Sequence, residues 1–445
     1  MDCPVLSFPR LVLLAAVALL CACEPISLRP AGMDPADAGS DGDDGGDDGG
    51  GDGGDGTGGR TEPDGGGDGG TDGGIPEDAG TDAGPRIPRP PLGDGGVDAR
   101  MTEWSACEDG WQSRTVLPLG SDRGYPQFAL DADGEAYFLE YTDEVLRVVT
   151  TKPWRVFADM DVVGGQWWLG GIRVDAAGDV HLAINPRFND LSAVVPTDFL
   201  HHTGGRWERA RLMSGWVRAY DLDALGQVQA LSLVDAVKHR LNHVQGGIED
   251  LSVIDTGLEL GVPYSGVSMR VDARGKAHVT YESGGEPGRP DIYYATNASG
   301  TWVRELVTAV GARPVIALSP AGVPRILWSQ VGVVNLSTRT AQGEWTTTAL
   351  PFEGAGQMRI SASGVVHVLH TVEKRLEYLD NAQGTWSAKT VIDMASSPRD
   401  ASLFDWALEV DAQGRAHAMY TEVVDDHAGD VPRILRRLGY SRQCP

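Results

Sequence analysis

Short runs of alternating apolar and polar residues fill the chain from residue 129 onward, and the runs are separated by turn-forming tetrapeptides. Alternation with a period of two predicts β-strands that bury one face. The tetrapeptide is Asp-x-x-Gly in most copies, and this pattern indicates a tight hairpin turn, because the Asp side chain caps the turn and glycine adopts a positive φ. Seven such units occur 42 to 50 residues apart, with turn glycines Gly134, Gly178, Gly226, Gly275, Gly322, Gly364 and Gly414.

A second strand pair follows each unit, most clearly in residues 291–307, 333–350 and 375–392. Four strands in a repeat of this length are typical of a β-propeller blade. The coils of a β-solenoid are shorter, and a β-sandwich does not repeat one motif seven times. The absence of a helical periodicity argues against a parallel α/β fold. The sequence therefore predicts an all-β fold, a seven-bladed β-propeller, over residues 101–445.

The seventh repeat lacks its last strand, and the segment 104–117 has the pattern of the missing strand. We therefore expect the N-terminal strand to close the last blade, an arrangement that leaves no frayed blade between the termini. Cys107 and Cys444 then meet at one hairpin. Because exported proteins fold in an oxidising compartment, these two cysteines are expected to form a disulfide.

The first 22 residues predict an export signal, since Arg10 precedes a continuous apolar run from Leu11 to Leu20. The run is too short to span a bilayer. Its end, Leu20-Cys21-Ala22-Cys23, resembles a lipobox, the processing site of bacterial lipoproteins. The resemblance implies lipidation of Cys23 and a membrane contact made through the lipid. An ordinary signal cleaved near Ala22 and an uncleaved anchor are the alternatives.

Residues 23–100 are rich in Gly and Asp and predict a disordered tether, because such a segment buries too little apolar area to offset its ordering entropy. From Glu24 to Arg100 there are 19 acidic residues and 5 arginines, a net charge of −14 out of −26 for the whole chain. The Asp run lacks the spacing of a calcium-binding loop. So acidic a segment argues against nucleic acid as a partner.

The repeat, an Asp-x-x-Gly-x-x-His motif followed by Tyr-Ala and Gly-x-Trp, resembles the sialidase-like, BNR-type propellers of exported bacterial proteins. The best matches are residues 270–302 and 409–420, and the resemblance covers residues 104–445. The Ser-x-Asp-x-Gly-x-x-Trp box of true sialidases is absent, so the resemblance implies the blade architecture without sialidase chemistry. The tether after a lipobox resembles predicted lipoproteins of myxobacteria.

The histidines at one repeat position come one per blade, so a structural role within or between blades is expected for them; they are His181, His278, His367 and His417. The adjacent His201 and His202 point to opposite faces of a strand and do not chelate one ion together. No metal site and no cofactor are predicted. Three long loops on one face are the candidate binding region. Their charged residues are Arg187, Asp190, Glu282, Glu286, Arg289, Glu422, Asp425, Asp426 and His427.

We expect a non-enzymatic, monomeric binding module for a protein or a glycan, held in the cell envelope, with the outer membrane or cell surface favoured over the inner membrane. The alternatives are a carbohydrate-active enzyme, hydrolase or lyase, with its site at the channel mouth, and a structural envelope protein. Two carboxylates and two or more arginines converging at one mouth would favour the enzyme, whereas scattered ones would favour binding. The propeller region has a net charge of −12, from 43 acidic and 31 basic residues. An anionic ligand therefore needs a local basic pocket.

Overall fold

A computed structural model describes the part of the chain that follows the tether, with several gaps. The described residues are 102–120, 127–141, 145–151, 154–161, 167–186, 196–214, 216–234, 240–245, 252–255, 266–286, 289–394, 401–426 and 433–445. The expected signal segment 1–22, the expected tether 23–100 and the lipidation residue Cys23 lie outside them.

The described residues contain β-strands and no helix, and the strands form seven antiparallel four-stranded sheets. Strand β1 spans Trp111–Gly120 and belongs to the last sheet. The first three sheets comprise β2 Gln127–Leu130, β3 Ala136–Tyr141, β4 Val145–Thr151 and β5 Trp154–Asp161; β6 Trp167–Val174, β7 Val180–Pro186, β8 Pro196–Thr203 and β9 Arg206–Ser214; and β10 Trp216–Leu222, β11 Val228–Val234, β12 Arg240–Gln245 and β13 Ser252–Asp255.

The remaining four sheets are equally regular. They comprise β14 Val267–Val271, β15 Ala277–Glu286, β16 Arg289–Thr296 and β17 Val303–Thr308; β18 Ala312–Leu318, β19 Pro324–Gln330, β20 Val333–Arg339 and β21 Trp345–Glu353; β22 Gly356–Ile360, β23 Val366–Val372, β24 Arg375–Asp380 and β25 Ser387–Asp393; and β26 Ala401–Val410, β27 Ala416–Asp426, β28 Arg433–Gln443 and β1. The expected all-β class and β-propeller architecture are confirmed.

The Asp-x-x-Gly turns have the predicted capping. In five sheets the Asp Oδ1 accepts hydrogen bonds from the amides two and four residues later; these aspartates are Asp131, Asp175, Asp223, Asp272 and Asp411. Ser319 and Ser361 replace aspartate in the other two turns. The turn glycine adopts a positive φ, for example +73° at Gly275, a conformation that favours glycine over residues with a Cβ.

In the described part of the chain the hydrophobic core is divided into seven clusters, and each cluster lies between two consecutive sheets. One cluster joins the last sheet to the first, because Met419 and Tyr440 pack with Phe128 and Phe138. The innermost strands β2, β6, β10, β14, β18, β22 and β26 contact one another in that order, and β26 contacts β2. These strands therefore surround a central channel.

The N-terminal strand β1 pairs with β28 of the last sheet, with Trp111 opposite Gln443. Cys107 and Cys444 form the expected disulfide, with a Cα–Cα distance of 6.2 Å. The amide of Cys444 also donates a hydrogen bond to the carbonyl of Gly110. The two ends of the described chain are thus joined by both backbone pairing and a covalent bond. Within the described residues there is no helix of the length and hydropathy needed to cross a bilayer.

Candidate functional site

One repeat position places charged side chains around the central channel. It lies two residues before the turn Asp or Ser, on the innermost strand of each sheet, and is occupied by Ala129, Arg173, Asp221, Arg270, Ala317, Arg359 and Glu409. Each of these residues pairs with the residue at the repeated histidine position of the second strand, as Arg270 does with His278. We call the five charged members, Arg173, Asp221, Arg270, Arg359 and Glu409, the charged ring.

A cavity of about 470 Å³ occupies the channel. Residues on all seven innermost strands line it, and they include four members of the charged ring, Arg173, Arg270, Arg359 and Glu409. A volume of this size is in the range of small-ligand sites. The channel is therefore the candidate functional site.

Two ion pairs within the charged ring join neighbouring sheets. Arg359 holds Glu409 at both oxygens, with Nε–Oε2 2.9 Å and Nη2–Oε1 2.7 Å. The Nε atom of Arg173 lies 3.3 Å from Oδ1 of Asp221. A bidentate pair is among the stronger polar contacts in proteins and fixes the orientation of both groups. Both carboxylates of the charged ring are thus already engaged by arginine.

The third guanidinium of the charged ring, that of Arg270, has no carboxylate partner among the described residues. Its Nη1 atom donates a hydrogen bond to the carbonyl oxygen of Met269 at 2.9 Å. Burial, together with the nearby positive charge of Arg359, lowers its pKa to about 9. Three guanidiniums against two carboxylates leave the charged ring with one surplus positive charge in a chain that is acidic overall. The channel is the local basic pocket that an anionic ligand requires.

The pKa of Glu409 shows how strongly the ring favours negative charge. Burial acts to raise this pKa, but the charge and hydrogen bonds of Arg359 outweigh the burial and, with Arg173 and Arg270, bring it down to about 2. Glu409 is therefore ionised across the physiological pH range and is no proton donor.

The opposite end of the innermost strands carries β-bulges. The register shifts between Val217 and Ala219 in β10, between Ala312 and Val315 in β18, and between Phe404 and Trp406 in β26. The charged residues within these three bulges, Arg218, Arg313 and Asp405, also line the cavity. We call this part of the channel the bulged end. Bulges next to binding sites redirect side chains, and here three charged residues of the bulges line one cavity.

Two residues of the bulged end have left-handed backbone conformations, with φ of +54° at Arg313 and +38° at Asp405. Such conformations cost roughly 1–3 kcal/mol each for residues with a Cβ and concentrate at functional sites. Burial, opposed by Arg436, raises the pKa of Asp405 to about 6. The bulged end therefore combines an exposed guanidinium with a carboxyl group that takes up a proton near neutral pH.

Of the nine residues predicted on long loops, Glu282 reaches the bulged end. Its Oε1 accepts a hydrogen bond of 2.5 Å from the amide of Arg313 on the neighbouring sheet. Burial raises the pKa of Glu282, whereas the amides of Arg313 and Gly266 act to lower it. Glu282 thus supports the backbone of a bulge residue, and this role was not foreseen from the sequence.

Six of the nine residues expected on long loops lie on strands. Strand β15 continues to Glu286 and β16 starts at Arg289, so Glu282, Glu286 and Arg289 belong to a long hairpin. Likewise, Glu422, Asp425 and Asp426 lie on β27 and pair with β28. Polar residues at strand ends resemble loop residues in sequence, because backbone pairing extends each hairpin beyond the hydrophobic core.

Glu422 is buried and forms an ion pair with Arg437 on the next strand, which gives it a structural role. Glu286 and Arg289 face each other across the tip of their hairpin in the backbone register. Arg187, Asp190 and His427 lie outside the described residues. Among the described members of the nine, Glu282 and Glu422 thus have supporting roles within the sheets, and the candidate site rests on the arginines of the channel instead.

Three of the four repeated histidines make the contacts within a blade that were expected of them. The Nδ1 atoms of three of them lie 2.6 Å from a tyrosine hydroxyl on the third strand of the same sheet; the pairs are His278–Tyr294, His367–Tyr378 and His417–Tyr440. His417 also contacts the turn carboxylate of Asp411 at 3.1 Å through Nε2. Each of these three histidines therefore links the second strand of its sheet to the third. His417 also links these strands to the capped turn.

In comparisons with known proteins, no family model and no curated protein match the sequence. Solved structures with a similar fold include a prolyl endopeptidase (13% identity, TM-score 0.44), virginiamycin B lyase from Staphylococcus aureus with quinupristin (10%, 0.48) and YCF48 bound to a D1 peptide (11%, 0.46). The endopeptidase match covers 74% of this chain and 55% of the endopeptidase. The lyase match covers 74% of this chain and 99% of the lyase, and the YCF48 match covers 77% of this chain and 97% of YCF48. The chain thus spans about half of the endopeptidase, and no activity follows from these similarities.

Proposed function

We propose that this protein is an exported binding module whose channel takes up an anionic group, a carboxylate or a sulfate, of a glycan or protein ligand. The observation that carries the proposal is the charged ring, in which Arg270 lacks a carboxylate partner among the described residues while both acidic members are paired. An anion entering the cavity would complete the charge balance and replace the missing partner.

We further propose that the seven sheets are the blades of one closed ring, and that the N-terminal strand completes the last blade. The seven core clusters and the pairing of β1 with β28 support this arrangement. Lipid on Cys23 anchors the chain in the cell envelope, at the outer membrane or cell surface, and the acidic tether of residues 23–100 extends the propeller away from the membrane.

An array of glycans and peptides tests the binding function, with the purified full chain as the probe. We expect carboxylate- or sulfate-bearing members to be bound in preference to neutral ones. Arg270→Gln should weaken that binding at least about tenfold, since it removes a charged hydrogen-bond donor. Arg274→Gln is the matched control, because Arg274 lies on the turn of the same sheet and its side chain is 80% exposed. Equal binding of neutral and anionic members, or full binding by Arg270→Gln, would contradict the proposal.

One observation favours the second candidate, a carbohydrate-active enzyme. Asp405, with a pKa of about 6, and the ionised Glu409 line the same cavity as the arginines, so carboxylates and arginines converge in the channel. Two carboxyl groups with separated pKa values are the arrangement of a general acid and a charged partner. We favour binding because Arg359 occupies both oxygens of Glu409. Turnover of fluorogenic glycosides by the wild-type chain, abolished in Asp405→Asn, would establish the enzyme instead.

A further inference from the structure

The sheet β6–β9 differs around its repeated histidine from the sheets that contain His278, His367 and His417, which we call the sister sheets. His181 Nε2 contacts the turn carboxylate of Asp175 at 3.2 Å, as His417 contacts Asp411. In the sister sheets a tyrosine hydroxyl on the third strand engages the other ring nitrogen. The register places Phe199 at the tyrosine position of this sheet, opposite Ala183 as Tyr440 is opposite Met419. The phenylalanine has no hydroxyl to offer His181.

A second histidine lies directly across from the first. His181 and His201 are paired residues on β7 and β8, and their rings stack with centroids 4.3 Å apart and an interplanar angle of 15°. The sister sheets have Thr296, Asp380 and Arg442 at the position of His201. The pair of histidines is thus a feature of this sheet, and the repeat does not account for it.

Carboxylates border this histidine pair on two sides. Potential ligand atoms of Asp175, His181 and His201 all lie within 4.8 Å of one another. Oδ2 of Asp179 lies 3.6 Å from Nε2 of His201. No hydrogen bond from any described residue reaches that Nε2 atom, although it is buried from solvent. The ring nitrogen therefore lies near the carboxylate of Asp179 without a hydrogen bond to it.

We propose that Asp175, His181 and His201 bind a divalent transition-metal ion, with Zn²⁺ as the ion of best fit. Two imidazoles and a carboxylate match the preferences of zinc, whereas calcium and magnesium take oxygen ligands. Tetrahedral ligands about 2.1 Å from zinc lie roughly 3.4 Å from one another. The Asp175–His181 separation of 3.2 Å already has this spacing, and the ligand atoms of all three residues lie within 4.8 Å of one another.

The ligands of the proposed metal site do not line the cavity of the channel. They come from the Asp175 turn and from the middle strands of one sheet, in which His181 pairs with Arg173 of the charged ring. The ion would join the turn, β7 and β8 within a single sheet, and it would stabilise the folded state because the unfolded chain does not assemble the ligands. The sequence predicts no metal site, because His201 and His202 point to opposite faces of one strand. The structure instead places His201 opposite His181 on the neighbouring strand.

Calorimetric titration of the metal-free full chain with ZnCl₂ near neutral pH, in excess Mg²⁺, tests this proposal. The Mg²⁺ occupies nonspecific carboxylate sites of the Gly/Asp segment. We expect one Zn²⁺ per chain and a Zn²⁺-dependent rise in the thermal midpoint. His201→Gln should weaken Zn²⁺ binding at least about tenfold and abolish the rise. His201 is partly exposed, with 36% of its side chain accessible, so this substitution should leave the fold intact.

His202→Gln is the matched control, because it removes a histidine from the neighbouring position of the same strand, whose side chain points to the other face. It should bind Zn²⁺ as the wild-type chain does. A Co²⁺-substituted chain should show the visible absorption of a tetrahedral site, and His201→Gln should lose it. Absence of Zn²⁺ binding by the wild-type chain, or equal binding by wild type and His201→Gln, would overturn the proposal.

Discussion

Arginines and carboxylates at a single repeat position determine the character of the channel. A charged side chain at this position of an innermost strand lies next to the channel, close to the equivalent side chains of neighbouring sheets. Glu409 is stable there because Arg359 holds both of its oxygens, and Asp221 because Arg173 lies beside it. Arg270 remains as the surplus charge. The chemistry of the site thus depends on which charges the repeats carry at one position.

The ion pair of Glu409 makes stability depend on pH. Its pKa is about 2 in the folded chain, against an ordinary value of 4.5. Because the folded pKa is depressed, the stabilisation is complete above pH 4.5 and is lost as the pH falls toward 2. Linkage puts it at up to about 3 kcal/mol. We therefore expect the gap in unfolding free energy between wild type and Glu409→Gln, measured by urea denaturation, to shrink over this range.

Glu344→Gln serves as the control for this measurement, since Glu344 is exposed on a turn between β20 and β21. The difference in unfolding free energy between Glu344→Gln and the wild type should be small. A gap for Glu409→Gln that stays constant down to the lowest pH would show that Arg359 does not depress the pKa of Glu409.

At the scale of the element, the capped hairpin turn is the recurring unit of this fold. An aspartate at the first turn position receives two amide hydrogen bonds through one carboxylate oxygen, as Asp272 does from the amides of Arg274 and Lys276. Ser319 receives a single bond, 3.1 Å, from the amide of Val323. The shorter serine side chain leaves the amide of Ala321 without the bond that its equivalents make to aspartate. The turn of the β18–β19 hairpin is therefore less completely capped.

Ser319→Asp should stabilise the protein by about 0.5–1.5 kcal/mol, because it adds a charge-assisted hydrogen bond to the turn. Ser319→Ala, which removes the remaining bond, should destabilise it by a similar amount. Thermal unfolding of the three chains side by side measures both effects. If aspartate lowers the midpoint as much as alanine does, capping is not what stabilises this turn.

At the scale of the whole molecule, the two ends of the described chain meet in the last sheet. Strand β1 pairs with β28, and Trp111 of β1 packs in the cluster that joins the last sheet to the preceding one. The disulfide between Cys107 and Cys444 spans 337 residues of sequence. Such a cross-link restricts the unfolded chain more than it changes the folded one. The pairing and the disulfide therefore hold the two ends of the described chain together.

Reduction of the disulfide, or the double substitution of Cys107 and Cys444 by serine, should lower the unfolding free energy by about 2–5 kcal/mol. Denaturant titration with and without reductant measures the loss. Hydrogen exchange should show the largest acceleration in β1 and β28, which the bond ties together. Uniform acceleration in all sheets, with β1 no more affected than β20, would argue against closure through the N-terminal strand.

Much of the fold was predictable because its signals are local. The turn residues and the period-two alternation each specify a hairpin from a few neighbouring positions, and their sevenfold recurrence indicates the propeller. The candidate site was less predictable. Arg173, Arg270 and Arg359 stand at the start of three repeat motifs, yet nothing in the alternation distinguishes a residue facing the channel from one facing solvent. The bulge at Arg313 also has no sequence signature, since arginine does not favour a positive φ.

The sequence by itself determined the strands, the capped turns, the propeller class and the pairing of Cys107 with Cys444. These features follow from local backbone preferences and from a repeat whose copies must pack alike. Only the tertiary structure decided which charges converge in the channel, where the long hairpins end and that His181 stands opposite His201. Those outcomes depend on the register between strands and on the arrangement of sheets around an axis. Residues far apart in sequence meet there for reasons that no short segment contains.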